Sequence, residues 1–229
     1  LDAGGSVHAC GLGVGGRLGH ADEASAVLLR RVSLRRRVAL VAASVDLSLA
    51  LTECGEAWSW GLRCAPLGYE AAADQTSPRR IERFGVPVAA PSRGSACDST
   101  RRGGRAPRPA ALSDERTCVF AAHAAAADGH ALVSTRCGRV YAWGCNARGQ
   151  LGLGSTSAEA EVAPRRIRAL DGQPPAVSVG AAADHSAAIL ADGSIACWGR
   201  DHTRPRRLKL PLEPLEGLGY HYKSARPQA

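Results

Sequence analysis

The stretch Gly138–Gly144, which reads Gly-Arg-Val-Tyr-Ala-Trp-Gly, decides the fold of this chain. Its inner residues are apolar on both alternating faces, and this pattern predicts a β-strand that is buried on both sides. The same frame of two glycines six positions apart recurs in Gly5–Gly11, Gly55–Gly61 and Gly193–Gly199. Such self-similarity is typical of a repeat architecture, so we interpret the chain as an array of four repeats.

The spacing of the repeats is regular except at one place. The closing glycines are separated by 50, 83 and 55 residues. The residue before the closing glycine is Cys10 in the first repeat and tryptophan in the other three: Trp60, Trp143 and Trp198. The long separation predicts an insertion in the second repeat. We place it near residues 91–117, where Gly, Ser, Pro and Arg predominate and disorder is expected.

Other features recur in phase with this frame. A Leu-Gly pair follows the closing glycine in three repeats, as Leu18-Gly19, Leu67-Gly68 and Leu151-Gly152. An arginine pair follows in all four repeats, beginning at Arg30, Arg79, Arg165 and Arg206. We interpret this pair as an element at the sheet edge, whose charged heads stay in water. Each unit therefore reads as a short antiparallel sheet stacked between two others, with the indole filling the gap, as in a β-propeller blade.

The longest match to a known pattern is Gly138–Gly154, which resembles the repeat of the regulator-of-chromosome-condensation family. The match includes Asn146, and a later signature of the family is similar to the strand at His185. This family forms seven-bladed β-propellers. The resemblance implies an all-β fold, with a partial β-propeller of about four repeats over residues 1–214 and a tail over residues 215–229.

A narrower resemblance concerns the first repeat. The stretch Gly15–His20, followed by Asp22 and Glu23, is similar to the propeller of the inhibitor of Bruton's tyrosine kinase family. Members of that family join a propeller to BTB domains and act as substrate adaptors of cullin ubiquitin ligases. The resemblance implies a non-enzymatic protein-interaction scaffold or adaptor. The implied partner is a protein, such as a kinase or a ubiquitin-ligase substrate.

Two alternative functions follow from the wider family. The founding repeat protein performs guanine nucleotide exchange on a small GTPase, which makes that activity the main alternative. A photoreceptor of the same fold uses clustered tryptophans. Three of the four tryptophans here occupy one repeat position, which argues against such a cluster.

Candidate residues fall into two groups. Structural repeat positions are expected at the frame glycines, the repeated tryptophans and two histidines, namely Gly5, Gly11, Gly55, Trp60, Gly61, Gly138, Trp143, Gly144, Gly193, Trp198, Gly199, His130 and His185. Loops after the closing glycines are candidates for contact with a protein partner, because rigid sheets present variable loops. The candidate contact residues are Arg17, His20, Asn146 and Arg148.

Several apparent cofactor or catalytic motifs fit repeat structure better. Gly11, Gly13 and Gly16 satisfy a dinucleotide-binding pattern, but the third repeat has equivalent glycines in a turn. The run Asp184–Ser186 contains the residue types of a catalytic triad, yet adjacent strand residues point to opposite faces. The histidines and cysteines lack metal-ligand spacing. We therefore expect no enzyme activity, no cofactor and no metal.

Composition bears on partner and compartment. Much of the positive charge behind the formal net charge of +8 is carried by the repeated arginine pairs and by the basic insertion near 91–117, so specific nucleic-acid binding is not expected. The longest apolar run, Val38–Leu51, is broken by Asp46 and is too short for a bilayer. Eight cysteines without a Cys-x-x-Cys pair favour reduced thiols and a cytoplasmic location, with a nuclear one as the alternative. Because the chain starts at Leu1 and holds no methionine, we expect a piece of a longer product.

Overall fold

The computed structural model of the chain describes residues 1–64, 66–85 and 119–208. Within these ranges the backbone forms fourteen strands and two short 3-10 helices, Val14–Gly16 and Arg168–Leu170. The strands are β1 His8–Gly11, β2 Ala26–Arg31, β3 Val38–Ala43, β4 Leu47–Thr52, β5 Ala57–Gly61, β6 Gln75–Ile81, β7 Ala121–Ala126, β8 His130–Thr135, β9 Val140–Asn146, β10 Ser157–Arg166, β11 Ala176–Ala181, β12 His185–Leu190, β13 Ile195–Gly199 and β14 His202–Leu208.

The strands pair with their neighbours in the chain and form four antiparallel sheets. Sheet 1 contains β1 and β2, sheet 2 contains β3 to β6, sheet 3 contains β7 to β10, and sheet 4 contains β11 to β14. Each repeat frame supplies the third strand of a complete sheet, and in sheet 1 it supplies β1. The four repeats therefore correspond to three complete sheets and one sheet of two strands.

The third strand of sheet 3 is buried on both faces, as its sequence predicts. Tyr141 and Trp143 belong to an apolar cluster shared with sheet 2, and Val140 and Ala142 belong to a cluster shared with sheet 4. All four side chains are at most 1% exposed. Because successive residues of a strand point to opposite faces, one short strand fills both gaps.

Sheets stack through their first strands. Strand β7 contacts β3 and β4 of the preceding sheet, and β11 contacts β7 and β8. These first strands are rich in alanine, which permits a close approach between sheets at the crowded side of the stack. The architecture is an all-β partial propeller, in agreement with the sequence prediction.

The arginine pairs lie on the outer strands β2, β6, β10 and β14, at the sheet edge as expected. Each outer strand bulges immediately before its arginine pair, opposite the residue that precedes the closing glycine. The bulged segments are Val27–Leu29, Thr76–Pro78, Val162–Pro164 and Thr203–Pro205. The bulge is thus a repeated element of the unit, which the sequence alone did not reveal.

The frame glycines are required by backbone geometry. The φ angle is 77–80° at the first glycine of each frame and 95–133° at the closing glycine. This left-handed region is costly for any residue with a Cβ atom. The expected insertion at 91–117 and the tail at 215–229 lie outside the described residues, and the domain boundaries stay predictions.

Candidate functional site

The repeated tryptophans join each sheet to the repeat before it. Trp60 Nε1 donates a hydrogen bond to the Arg17 carbonyl (3.1 Å), Trp143 Nε1 to the Pro66 carbonyl (2.6 Å) and Trp198 Nε1 to the Gln150 carbonyl (2.9 Å). In every case the acceptor is the residue directly before the Leu-Gly pair of the preceding repeat. The indole therefore both fills the gap between sheets, as predicted, and binds the preceding turn.

The glycine of the Leu-Gly pair makes room for this contact. A Cβ atom at Gly19 would lie 2.7 Å from Trp60 Nε1, and one at Gly152 would lie 2.8 Å from Trp198 Nε1. Both distances are far inside van der Waals contact, so the turn cannot carry a side chain there. The preceding leucines are buried, at 6% exposure for Leu18 and 0% for Leu151. The recurring Leu-Gly pair thus forms the site in which the indole of the next repeat packs, and we call this site the tryptophan socket.

A buried histidine and a serine join sheets 3 and 4. His130 Nε2 lies 2.7 Å from Ser186 Oγ, and Ser186 Oγ donates a hydrogen bond to the Gln150 carbonyl (2.8 Å). Because the serine proton goes to the carbonyl, we assign the Nε2–H tautomer to His130, which then donates to Ser186. Burial lowers the pKa of His130 to about 4. The predicted structural hydrogen-bonding role of this histidine fits the geometry.

The equivalent contact between sheets 2 and 3 is apolar. Leu47 pairs with Gly61 as His130 pairs with Gly144, and Ala131, which stands at the register position of Ser186, belongs to the same apolar cluster as Leu47. Leucine thus goes with alanine at the junction of sheets 2 and 3, and histidine goes with serine at the junction of sheets 3 and 4. The recurrence of Ser48 and Ser186 at one place in their strands was a sequence signal that our candidate positions left out.

His185 occupies the same register position as His130 but has a different environment. It is exposed, and its Nδ1 atom lies 3.1 Å from Asp184 Oδ1. The hydrogen bond from His185 lowers the pKa of Asp184. Ser186, by contrast, is 1% exposed and bonded to His130. The neighbouring His185 and Ser186 thus point apart, as predicted, and do not form a catalytic pair.

A group of charged side chains, all exposed except the half-buried Asp184, lies where the repeat 3 and repeat 4 loops meet. We call it the loop cluster, and it consists of Arg148, Asp184, His185, Arg200 and Asp201. Arg148 Nη1 lies 3.4 Å from Asp201 Oδ1, and Arg200 Nε lies 3.6 Å from Asp184 Oδ2. The Asp201 amide also donates to the Arg148 carbonyl at 2.9 Å, which ties the two loops together.

The backbone of the loop cluster is unusual. Arg200 and Asp201 both have positive φ angles, 45° and 74°, although neither is glycine. This turn follows Gly199, where the other three repeats place a longer loop with its Leu-Gly pair. Non-glycine residues in left-handed conformations are uncommon, and they concentrate at functional positions. The sequence analysis did not select Arg200 and Asp201, because neither residue is a glycine and the pair matches no repeat motif.

The structure separates the four predicted contact residues. Arg148 is exposed in the loop cluster, whereas Asn146 is 2% exposed and His20 is 8% exposed. The Asn146 side chain donates to the Ser155 carbonyl and accepts from the Leu151 amide, so it closes its own loop. Burial therefore removes Asn146 from the surface that a partner could touch.

The two remaining residues of that prediction lie in repeat 1. His20 Nε2 donates to the Arg30 carbonyl (3.0 Å), so its ring also fastens a loop to an outer strand. Arg17 is partly buried and lies 3.2 Å from Asp46 Oδ1. His20 is thus inaccessible, and Arg17 is only partly available. The four residues do not form one surface, because repeats 1 and 3 are separated by sheet 2.

Cysteine and metal chemistry give no further site. Cys137 is disulfide-bonded, so the expectation of reduced thiols is wrong at that position. The cysteines at 10, 54, 64, 145 and 197 are free thiols. Among the described residues, no group of three or more His, Cys, Asp or Glu side chains could hold a metal ion. Nor does this part of the chain contain a helix with the length and apolar character that crossing a membrane requires.

Comparison with known proteins identifies the repeat. The family model described as "Regulator of chromosome condensation (RCC1) repeat" matches residues 137–189, and a second model with the same description matches residues 123–150. Residues 123–189 are thus similar to the RCC1 repeat. The matched residues span β8 to β12 and include His130, Trp143 and Ser186, so the family pattern covers the buried polar junction between sheets 3 and 4.

Curated relatives are similar to part of this chain. The ultraviolet-B receptor UVR8 of Arabidopsis thaliana is 43% identical over 75 residues, which are 33% of this chain and 16% of the receptor. The human probable E3 ubiquitin-protein ligase HERC3 is 37% identical over 73 residues, which are 32% of this chain and 7% of the ligase. Both matches therefore cover a minor part of each protein.

Solved structures agree with the RCC1-type fold. Human WBSCR16 superposes with a TM-score of 0.68 at 19% identity, covering 94% of this chain and 51% of that chain. Yeast RCC1 (Prp20), solved bound to Kap60, superposes with a TM-score of 0.62 at 22% identity, covering 90% and 45%. The chain thus spans about half the length of these propellers, and the likeness concerns the fold alone.

Proposed function

We propose that this chain is a non-catalytic protein-interaction scaffold that contacts its partner through the loop cluster. The observation that supports the proposal most directly is that some repeat residues are buried between sheets, whereas others are exposed. Tryptophan indoles, the buried serine and the Leu-Gly turns are occupied by contacts between sheets, whereas Arg148, Arg200 and Asp201 are exposed. Charged side chains on a turn held in left-handed conformations offer a rigid, polar surface to a protein.

A more specific form of the proposal is a substrate adaptor in a ubiquitin ligase. It is supported by the relative named an E3 ubiquitin-protein ligase and by the resemblance of Gly15–His20 to the inhibitor of Bruton's tyrosine kinase family. In this role the propeller binds the substrate protein, and the ligase reaction is carried out by another polypeptide segment or subunit. We place this function in the cytoplasm, with the nucleus as the alternative, and we expect it to need no cofactor.

Charge reversal in the loop cluster tests the proposal. The wild-type chain and the variant Arg148→Glu/Arg200→Glu are used in parallel for affinity capture, and each captured protein is purified and titrated. We expect at least one protein whose dissociation constant rises about tenfold or more in the variant, since removing central charged contacts weakens interfaces by this amount or more. Arg206→Glu, on the outer strand β14, is the control and should bind normally.

If the wild type, the double variant and the Arg206→Glu control bind every captured protein equally well, the loop cluster is not the contact surface. A nucleotide-release assay on candidate small GTPases addresses guanine nucleotide exchange, the alternative drawn from the wider family. Robust acceleration by the wild-type chain would replace the scaffold proposal with an exchange activity.

A further inference from the structure

A cavity at the outer edge of sheet 3 is lined mainly by arginine. It has a volume of about 350 Å³ and lies between the loop after the repeat 3 Leu-Gly pair and the end of β10. Sheets 2 and 4 both pack against sheet 3, so the cavity is not a gap at an end of the array. We call it the arginine pocket and define it by Arg83, Arg165, Arg166 and Arg168.

Two of these arginines are bonded to carboxylates of repeat 3. Arg165 Nη1 lies 3.1 Å from Glu161 Oε2, and Arg166 Nη2 lies 2.8 Å from Asp171 Oδ1. Charge-assisted hydrogen bonds of this kind fix the orientation of a guanidinium group. The arginine pair of β10 thus forms a positioned wall of the pocket.

The other two arginines, Arg83 and Arg168, form no ion pair with any residue in the described part of the chain. Both are nevertheless held in place. The Arg83 guanidinium lies 5.2 Å from the centre of the Tyr141 ring, and the backbone of Arg168 is anchored by the buried Ile167 and Leu170. Cations that are positioned in advance lose little freedom when an anion binds.

The pocket exists in repeat 3 because a shorter side chain replaces a tyrosine. In repeat 2 the residue after the Leu-Gly pair is Tyr69, whose hydroxyl donates to the Ser59 carbonyl at 3.0 Å. The Tyr69 ring lies 4.3 Å from the Arg79 guanidinium. Repeat 3 has Leu153 at this place, and Leu153 lines the pocket beside Arg165, the counterpart of Arg79.

The charge of this region also differs between repeats 2 and 3. Repeat 2 has Glu82 at the position of Arg168. It has Glu56 at the position of Arg139, and Glu56 Oε1 lies 3.6 Å from Arg80 Nη1. Repeat 3 therefore carries arginine at two places where repeat 2 has an acid. This surplus of positive charge around a cavity favours an anionic ligand.

We propose that the arginine pocket binds a phosphate monoester on a phosphorylated segment of a protein partner. Such a group carries close to two negative charges at neutral pH and presents three acceptor oxygens. It therefore matches the two arginines without ion pairs, and arginine clusters commonly recognise phosphorylated segments.

A nucleic acid fits the pocket less well. Its backbone presents a row of singly charged phosphodiesters, whereas these arginines surround one cavity of limited volume. The proposal does not rest on the loop cluster, which consists of other residues. Because the test uses a small phosphopeptide, either proposal can fail without the other.

The first test is a titration followed by backbone amide resonances. The probe is the capped peptide Gly-Gly-phosphoserine-Gly-Gly, and we expect saturable shifts at the amides of Leu153 and Arg168. The same peptide with unmodified serine should cause none. Inorganic phosphate should shift the same amides with lower affinity, and a short oligothymidylate should not shift them.

The second test removes the arginines that have no ion pair. Arg83→Gln/Arg168→Gln should raise the dissociation constant of the phosphopeptide at least about tenfold, because two charge-assisted hydrogen bonds are lost. The matched control Arg204→Gln/Arg206→Gln removes the same charge from β14 and should bind normally. A dispersed amide spectrum shows that each variant is folded.

The third test closes the pocket and keeps every arginine. Leu153→Tyr copies Tyr69 of repeat 2 and should also weaken phosphopeptide binding at least about tenfold, because the ring occupies the cavity. No saturable shift in the wild type, equal weakening in the control, or undiminished binding by Leu153→Tyr would each overturn the proposal. Tighter binding of inorganic phosphate or of the oligothymidylate at the same amides would overturn the assignment to a phosphorylated protein.

Discussion

A single buried imidazole shows how one residue can set the chemistry of a junction between sheets. His130 has 0% exposure and donates to Ser186, whereas the equivalent junction one sheet earlier uses Leu47 and Ala131. Burial keeps the ring neutral, since desolvation disfavours the charged form. The ring is thus a hydrogen-bond donor inside the stack, and its pKa of about 4 follows from that position.

This contact makes the stability of the chain dependent on pH. His130 takes up a proton near pH 6.5 when unfolded but only near pH 4 when folded. Acid therefore favours the unfolded state, and the free energy of unfolding should fall by up to about 3 kcal/mol between pH 6.5 and pH 4. Urea unfolding across this range measures the slope. His130→Leu/Ser186→Ala, which copies the apolar junction, should remove this part of the dependence.

The same pair allows a double-mutant cycle at pH 7. Ser186→Ala alone leaves the His130 N–H buried without its acceptor and should cost about 1–3 kcal/mol. Once leucine replaces His130, the same change should cost clearly less, because no buried donor is stranded. Additive effects of the two substitutions would contradict the assigned hydrogen bond.

At the scale of an element, the Leu-Gly turn and the next tryptophan form one unit. The turn supplies a carbonyl and a glycine surface, and the indole supplies the donor and the apolar face. The sequence shows both motifs but places them in different repeats. That they meet follows only from stacking, since Trp198 and Gln150 are 48 residues apart.

A comparison of Gly152 with Gly193 distinguishes the cost of a clash with the indole from the cost of the left-handed backbone. Gly152 and Gly193 have similar φ angles, 69° and 80°, but a Cβ at Gly152 would lie 2.8 Å from Trp198 Nε1, whereas one at Gly193 meets nothing within 4 Å. Gly193→Ala should cost about 1–2 kcal/mol in the free energy of unfolding, from the left-handed backbone alone. Gly152→Ala should cost at least about 1 kcal/mol more. Urea denaturation checks the difference, and equal costs would contradict the socket.

At the scale of the whole molecule, the sheets in the described part of the chain pack against their neighbours in the chain. In such an array, stability is close to a sum of the sheets and their junctions, so a weakened junction acts locally. The sheets of this chain differ in what their outer faces meet. Among the described residues, sheet 1 has two strands, whereas sheet 3 is covered on both faces.

The local character of the junctions is testable by hydrogen exchange. Trp198→Phe removes the bond to the Gln150 carbonyl, which is worth about 1 kcal/mol. Amides in β11 to β14 should exchange about fivefold faster, whereas those in β3 to β6 should be unchanged. Trp60→Phe is the mirror control, with faster exchange in sheets 1 and 2. Uniform acceleration after either change would indicate one cooperative unit.

The sequence by itself determined the repeat array, the strand at Val140–Trp143 and the need for the frame glycines, because strand periodicity and positive φ are local properties. Tertiary structure decided which residues at equivalent repeat positions are buried and which are exposed. His130 is buried against sheet 4, whereas His185 is exposed, and Asn146 turns into its own loop. Each of these outcomes depends on what packs against the residue from another repeat, and no single repeat contains that information.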